Sequence, residues 1–337
     1  ASLGAGDLRA HDHADSYLPN GAGAPKDGAD LIVGSDALRV HFPFLTTEAL
    51  GALHARRAGW FSAQQLGSWM LEQATNQGVE VIRGEVTEVD IDHDRVQSIT
   101  LESGIKISAP VFINAAGPML KPVAAMIGVD LPVYSEVHIK VAFRDHHGVV
   151  PRDAPMFIWT DPQTIDWSDE EERMLKEENR SDLLGKMPSS CHARPEGGAD
   201  SQWLVALWEY HRIIQEAVWP LPEDPLYPEV VLRGLKTMAP NLGRYLDHLP
   251  QPVVDGGYYT KTRENRPLVG PLPVEGAYLV GAFSGFGVMA APAAGELASI
   301  YATGGSLPEY AAAFALSRYQ DPAYLAEIEL VTDTGQI

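Results

Sequence analysis

The sequence predicts a mixed α/β (α+β) protein with a layered α/β part and an antiparallel β-sheet part. Three observations carry this. First, two apolar runs, Val111–Asn114 and Tyr278–Val280, each lead into a turn of small residues and then into a helical pattern. Second, residues 60–110 read as helix, strand and meander. Third, the middle of the chain holds strands with aromatic content, Val137–Phe143, Met156–Thr160 and Trp203–Tyr210, which suit an antiparallel sheet. With 337 residues the chain is long enough for two domains.

Taken in order, residues 1–30 are rich in Gly, Ala and Asp without a sustained period and read as a linker or loop. His11-Asp12-His13 within them reads as a solvated polar stretch rather than a metal site. Ser62 and Gln65 form a capping box ahead of Leu66, Trp69, Met70, Gln73 and Ala74, and Asn76-Gln77-Gly78 stops that helix. Val79–Ile82 is a short apolar strand. Glu85–Ile91 alternates, with Val86, Val89 and Ile91 facing inward, and Asp92-His93-Asp94 turns the chain. Val96–Leu101 and Ile105–Ser108 pair around Ser103-Gly104. A buried strand, Val111–Asn114, runs into Ala115-Ala116-Gly117-Pro118, and Lys121–Ile127 is the next helix.

Ser168–Asp182 is a charge run, read as a solvated helix or loop. Pro228–Met238 is an amphipathic helix with Pro at its start. Val253–Tyr259 is a strand. The stretch Gly276–Gly295 has the shape strand, glycine turn, helix. Gly281, Gly285 and Gly287 permit close approach of the backbone to a partner, and the helix start points N–H groups and a positive dipole end at it. Such a partner is electron-rich. Plain strand–helix packing is the competing reading. A membrane helix is not favoured, because five glycines, Ser284 and Pro292 interrupt the uncharged window. Gly285-x-Gly287-x-x-Ala290 fits a dinucleotide pattern loosely, but no βαβ unit follows it.

Composition narrows the partners. A net charge of −20 disfavours nucleic acid and anionic lipid. A single cysteine, Cys191, excludes an intramolecular disulfide framework and a Cys-rich metal site. The given N-terminus has neither a basic nor an apolar leader region, so the chain reads as soluble, in the cytoplasm or an organelle matrix.

The order GWFSAQQL, GVEVIRGEVTEVD, VFINAAGP, a β-rich stretch with CHARPEGG, GGYYTKTRENRPLVGPLP and AYLVGAFSGFGVMAAPAAGELA resembles the FAD-dependent oxidoreductases of the D-amino-acid oxidase, glycine oxidase and sarcosine oxidase-like family. The resemblance covers roughly residue 31 to the C-terminus. It implies an FAD-binding Rossmann-like domain over 31–131 and 256–337 and an antiparallel substrate-binding domain over 132–255. It also implies oxidation of an amine C–N bond of an amino acid or N-methyl amino acid by hydride transfer to flavin. The family's opening strand–GxGxxG–helix segment has no counterpart in this reading, so the N-terminal βαβ unit is taken as missing. A non-catalytic assembly or scaffold protein retaining the fold, or an inactive fragment, is the alternative. A nicotinamide dehydrogenase ranks lower, since no acidic ribose partner follows Gly285-x-Gly287.

Position by position, the resemblance assigns Val86 to an adenine contact and Ala115, Ala116 and Gly117 to the dinucleotide turn. It assigns Gly285, Phe286, Gly287, Val288 and Met289 to the flavin's pyrimidine edge. Gly257 lies near the place where some relatives carry a flavin-linking cysteine, so FAD is expected without a covalent bond. Tyr259 stands where relatives have a carboxylate-binding arginine. Tyr259 and His138 are the catalytic candidates, and Trp208, Tyr210, Lys261 and Arg263 are the substrate-binding candidates. No metal is implied, the partner is a small-molecule amine, and the oligomeric state is left open.

Overall fold

The computed structural model describes residues 8–331 except residue 223. The chain forms two compact units, Ala1–Phe61 with Ile139–His211 and Pro222–Gly256, and Ser62–His138 with Arg212–Leu221 and Gly257–Ile337. Among the described residues no helix is long and apolar enough to cross a membrane.

The first unit opens with a three-stranded sheet. Leu8–His11 pairs parallel with Ala29–Val33, which pairs antiparallel with Gly51–Ala55. Composition alone reads residues 8–30 as loop. The difference has a local cause: buried Asp30 accepts hydrogen bonds from Arg9 (2.8 Å) and Arg56 and lies 2.7 Å from His11 Nε2. Two cations and an imidazole on one carboxylate tie the polar stretch to the sheet. His11 is therefore a structural partner of Asp30.

The aromatic strands form an antiparallel sheet. Trp203–Leu207 pairs with Cys191–Glu196 on one side and with Val141–Arg144 on the other, and Cys191–Glu196 also pairs with Phe157–Trp159. Tyr227–Met238 packs on this sheet and buries eight of its twelve residues, more than an amphipathic surface helix would. The charge run forms the helix Asp169–Glu177, begun by a capping box of Ser168 and Glu171.

In the second unit, Leu268–Pro271, Ala277–Gly281 and Phe112–Asn114 form a sheet whose last pair is parallel. Beside it lies the meander Val86–Asp92, Arg95–Leu101 and Lys106–Ser108. His93 and Asp94 both have positive φ, the geometry of a tight hairpin turn. Val89 is buried as the alternation requires, but a register shift after Asp90 turns Ile91 out to solvent. Ser62 caps Ala63–Asn76 by accepting from Gln65 N (3.2 Å). Gly287–Thr303 packs Ala294, Leu297 and Ala298 against Val269 and Ala311.

Val79–Ile82 does not form a strand, because no described segment offers it a ladder partner. Val79, Val81 and Ile82 are exposed, as are Trp69, Met70 and Leu71 of the preceding helix, which has no buried residue. Exposed apolar surface of this extent binds hydrophobic probes. The native protein is therefore expected to raise anilinonaphthalene sulfonate emission. Unchanged emission would show that these residues are covered in solution.

Candidate cofactor and substrate site

Phe112–Asn114 and Ala277–Gly281 run parallel, with Leu279 opposite Asn114. Both strands end on the same edge of the sheet, and ligands of α/β sheets bind beyond the carboxyl ends of parallel strands.

The first turn, Ala115-Ala116-Gly117, is shaped by Asn114, which is 2% exposed. Its Oδ1 accepts from Ala116 N (3.2 Å) and its Nδ2 donates to Leu120 O (2.8 Å). Gly117 has φ +56°, and a Cβ there would meet nothing within 4 Å.

The second turn runs from Gly281 to Gly287. Ala282, Ser284 and Gly285 are left-handed, with φ of 57°, 52° and 88°. A Cβ on Gly281 would lie 2.7 Å from Leu120 Cδ2, so only glycine lets the second turn pack on the residue that closes the first. Gly287 begins the helix with Phe286 as its N-cap, and Phe286, Val288 and Met289 are exposed there. A Cβ on Gly287 would make only an ordinary contact, 3.6 Å from Phe283 Cβ.

The strand Val253–Lys261 supplies the third element. Thr260 Oγ1 donates to Gly117 O (3.2 Å), and Thr260 O accepts from Ser284 N (3.1 Å). Val86 packs on the cluster that contains Leu120 and Leu279. Gly257 would hold a Cβ in open space. The open position at Gly117 and the glycine-led helix start, tied together through Thr260, form a cradle, Gly257 on the same strand is open as well, and these residues fit FAD.

Next to this cradle lies a buried polar cluster. His138 stacks on Tyr259 with ring centroids 3.7 Å apart, and its Nε2 lies 3.2 Å from Glu136 Oε1. Arg212 donates from Nε (3.2 Å) and Nη2 (2.9 Å) to the two Glu136 oxygens. Lys261 is 0% exposed, and its Nζ lies 3.4 Å from Glu136 Oε1. Burial alone would raise the Glu136 carboxyl. The His138 and Arg212 hydrogen bonds and the Lys261 and Arg212 charges outweigh it and bring the carboxyl down to about 2.

Within the second unit, then, Ala115, Ala116 and Gly117 lie in one turn and Gly285, Phe286 and Gly287 in another, both bonded to Thr260, and Tyr259 and His138 form one stack. Lys261, read from sequence as a substrate cation, has its charge engaged by Glu136. Arg263 is exposed, and its Nη2 donates to Glu329 O (3.2 Å). Trp208 and Tyr210 belong to the first unit. Trp208 is 1% exposed, its indole donates to Pro188 O and Ser189 O (both 3.2 Å), and Gly234 has no room for a Cβ beside its ring. It is a core residue. Tyr210 donates to Asp224 Oδ2 (3.1 Å), and burial with the Asp224 charge pushes its hydroxyl up. Sequence reasoning missed Asn114, Thr260, Glu136 and Arg212. Asn114 sits in the FINAAGP run and could have been found as an Asx-type turn former. For the other three, only the folded pairing carries the signal.

No curated protein sequence matches the chain closely. Solved structures that share its fold include glycine oxidase from Geobacillus kaustophilus (TM-score 0.64, 16% identity, 87% of this chain and 67% of that one), L-proline dehydrogenase from P. horikoshii (0.62, 17%, 87% and 69%) and iminodiacetate oxidase from Chelativorans sp. (0.63, 17%, 86% and 67%). At these identities the likeness concerns the fold alone. Residues 8–299 match the DAO family model, described as FAD dependent oxidoreductase, and the chain belongs to that family of FAD-dependent oxidoreductases.

Proposed function

We propose that this oxidoreductase oxidises a C–N bond of an amino acid or N-methyl amino acid and that its FAD is held without a covalent bond. The observation that carries this is the convergence of two small-residue turns at the carboxyl edge of a parallel strand pair, joined through Thr260 to the strand that bears Tyr259. FAD, when bound, supplies the acceptor for a hydride equivalent from the substrate carbon.

The chain's own residues have distinct tasks. Ala115, Ala116 and Gly117 would admit the dinucleotide close to the backbone, and Val86 would contribute to holding its adenine end. The N–H groups at the start of Gly287–Thr303 favour negative charge on the ring edge beside Gly285, Phe286, Gly287, Val288 and Met289. Non-covalent attachment agrees with Cys191, the single cysteine, being buried in the first unit with its thiol pushed well up by burial. Tyr259 offers the substrate one neutral hydroxyl, held in plane by His138, where an arginine would offer a charged fork. Secondary amines are therefore favoured over substrates that depend on a tight carboxylate grip.

Absorbance near 450 nm tests the reading (an approximate flavin band position). Protein reconstituted with FAD should bleach anaerobically on addition of a member of an amino acid and N-methyl amino acid panel. A band that no amine bleaches would defeat it. Tyr259→Phe should lower kcat/KM about two- to thirteen-fold, the equivalent of about 0.5–1.5 kcal/mol for one hydrogen bond. An unchanged kcat/KM would remove Tyr259 from substrate contact.

A further inference from the structure

We infer that Thr260 is a positioning residue that locks the two cofactor turns into one cradle, an inference that rests on the flavin reading above. Thr260 is 7% exposed and sits between Tyr259 and Lys261. Its hydroxyl donates to Gly117 O across 143 residues of sequence. Gly117 O also accepts from Leu120 N, so the side chain completes the hydrogen bonding of a carbonyl inside the first turn.

The Thr260 carbonyl meanwhile accepts from Ser284 N in the second turn. Ser284 and Ala282 hold left-handed backbone without being glycine. Such residues persist only where the surroundings over-determine them. One residue thus fixes the first turn by its side chain and the second by its backbone. It does so on the strand that also presents Tyr259. Shape alone does not require threonine here: valine has the same branching and suits a strand equally well. What valine lacks is the donor to Gly117.

The test compares Thr260→Val with Thr260→Ser. In a fluorescence titration with FAD, Thr260→Val should weaken binding at least tenfold and change the visible circular dichroism of the bound flavin. Thr260→Ser should stay within threefold of wild type with an unchanged spectrum. Thr260→Val that binds FAD like wild type, or Thr260→Ser that loses binding as fully as valine, overturns the inference. If Thr260→Val does not fold, Thr260→Ala takes its place, with the same expected contrast to serine.

Wild-type protein that fails to bind FAD would count against the flavin reading instead. Hydrogen exchange on the FAD-free protein then decides on Thr260. The valine variant should speed exchange in residues 115–120, which lose the Thr260 hydroxyl, and an unchanged pattern there overturns the lock.

Discussion

Replacing Glu136 by glutamine should destabilise the protein by about 3–5 kcal/mol, the usual cost of stripping a buried cation of its counter-charge. Lys261 has no exposed surface on which to rehydrate, and Glu136 is its carboxylate partner at 3.4 Å. Arg212 is exposed enough to turn to water and suffers less. Urea denaturation gives the number, and a loss below about 1 kcal/mol would show that the Lys261 charge is compensated elsewhere. Replacing both partners by apolar residues, Glu136→Leu with Lys261→Met, should recover most of the loss, because the desolvated charges disappear together.

The pH dependence has a defined sign. The folded Glu136 carboxyl lies at about 2, below its ordinary value of 4.5. Its contribution to stability is therefore complete above the ordinary value and is lost as pH falls from there toward 2. The difference in urea midpoint between wild type and Glu136→Gln should shrink over that window. A difference that stays constant from pH 6 to pH 3, on the order of three units of pH, would mean that Glu136 is not held ionised by its partners.

Gly287→Val should abolish retention of FAD while leaving the FAD-free fold intact. The backbone at Gly287 is ordinary helix, and a Cβ meets only Phe283 at contact distance, so the protein itself tolerates the branch. The added methyl groups would stand at the helix start, where the cofactor edge needs close approach. Binding should weaken by a factor of ten or more, about 1.4 kcal/mol or above. The melting temperature of the FAD-free protein should remain within about 3 °C of wild type. Gly281→Val is the contrasting control, because its Cβ would press on Leu120 and damage the fold whether or not FAD is present. Normal FAD content in the Gly287 variant would reduce the turn to a structural role.

Much of this architecture is readable one segment at a time. The Ser62 cap, the hairpin at His93-Asp94, the small-residue turn after Asn114 and the glycine turn before Gly287 are local devices, each specified by residues within a few positions of one another. Their order along the chain suffices for the family resemblance. Tertiary structure decided the matters that depend on distant partners. Val79–Ile82 has strand composition but no neighbour to pair with among the described residues, and residues 8–30 lack a strand pattern but are pinned by Asp30. Trp208, read from sequence as a substrate-binding aromatic, fills the space beside Gly234. Lys261 and Glu136 are 125 residues apart, so neither announces the other, and their meeting converts an apparent substrate cation into half of a buried ion pair. A hydrogen bond or ion pair between remote residues leaves no periodicity to detect, which is why the two small-residue turns were legible in sequence while Thr260, which joins them, was not.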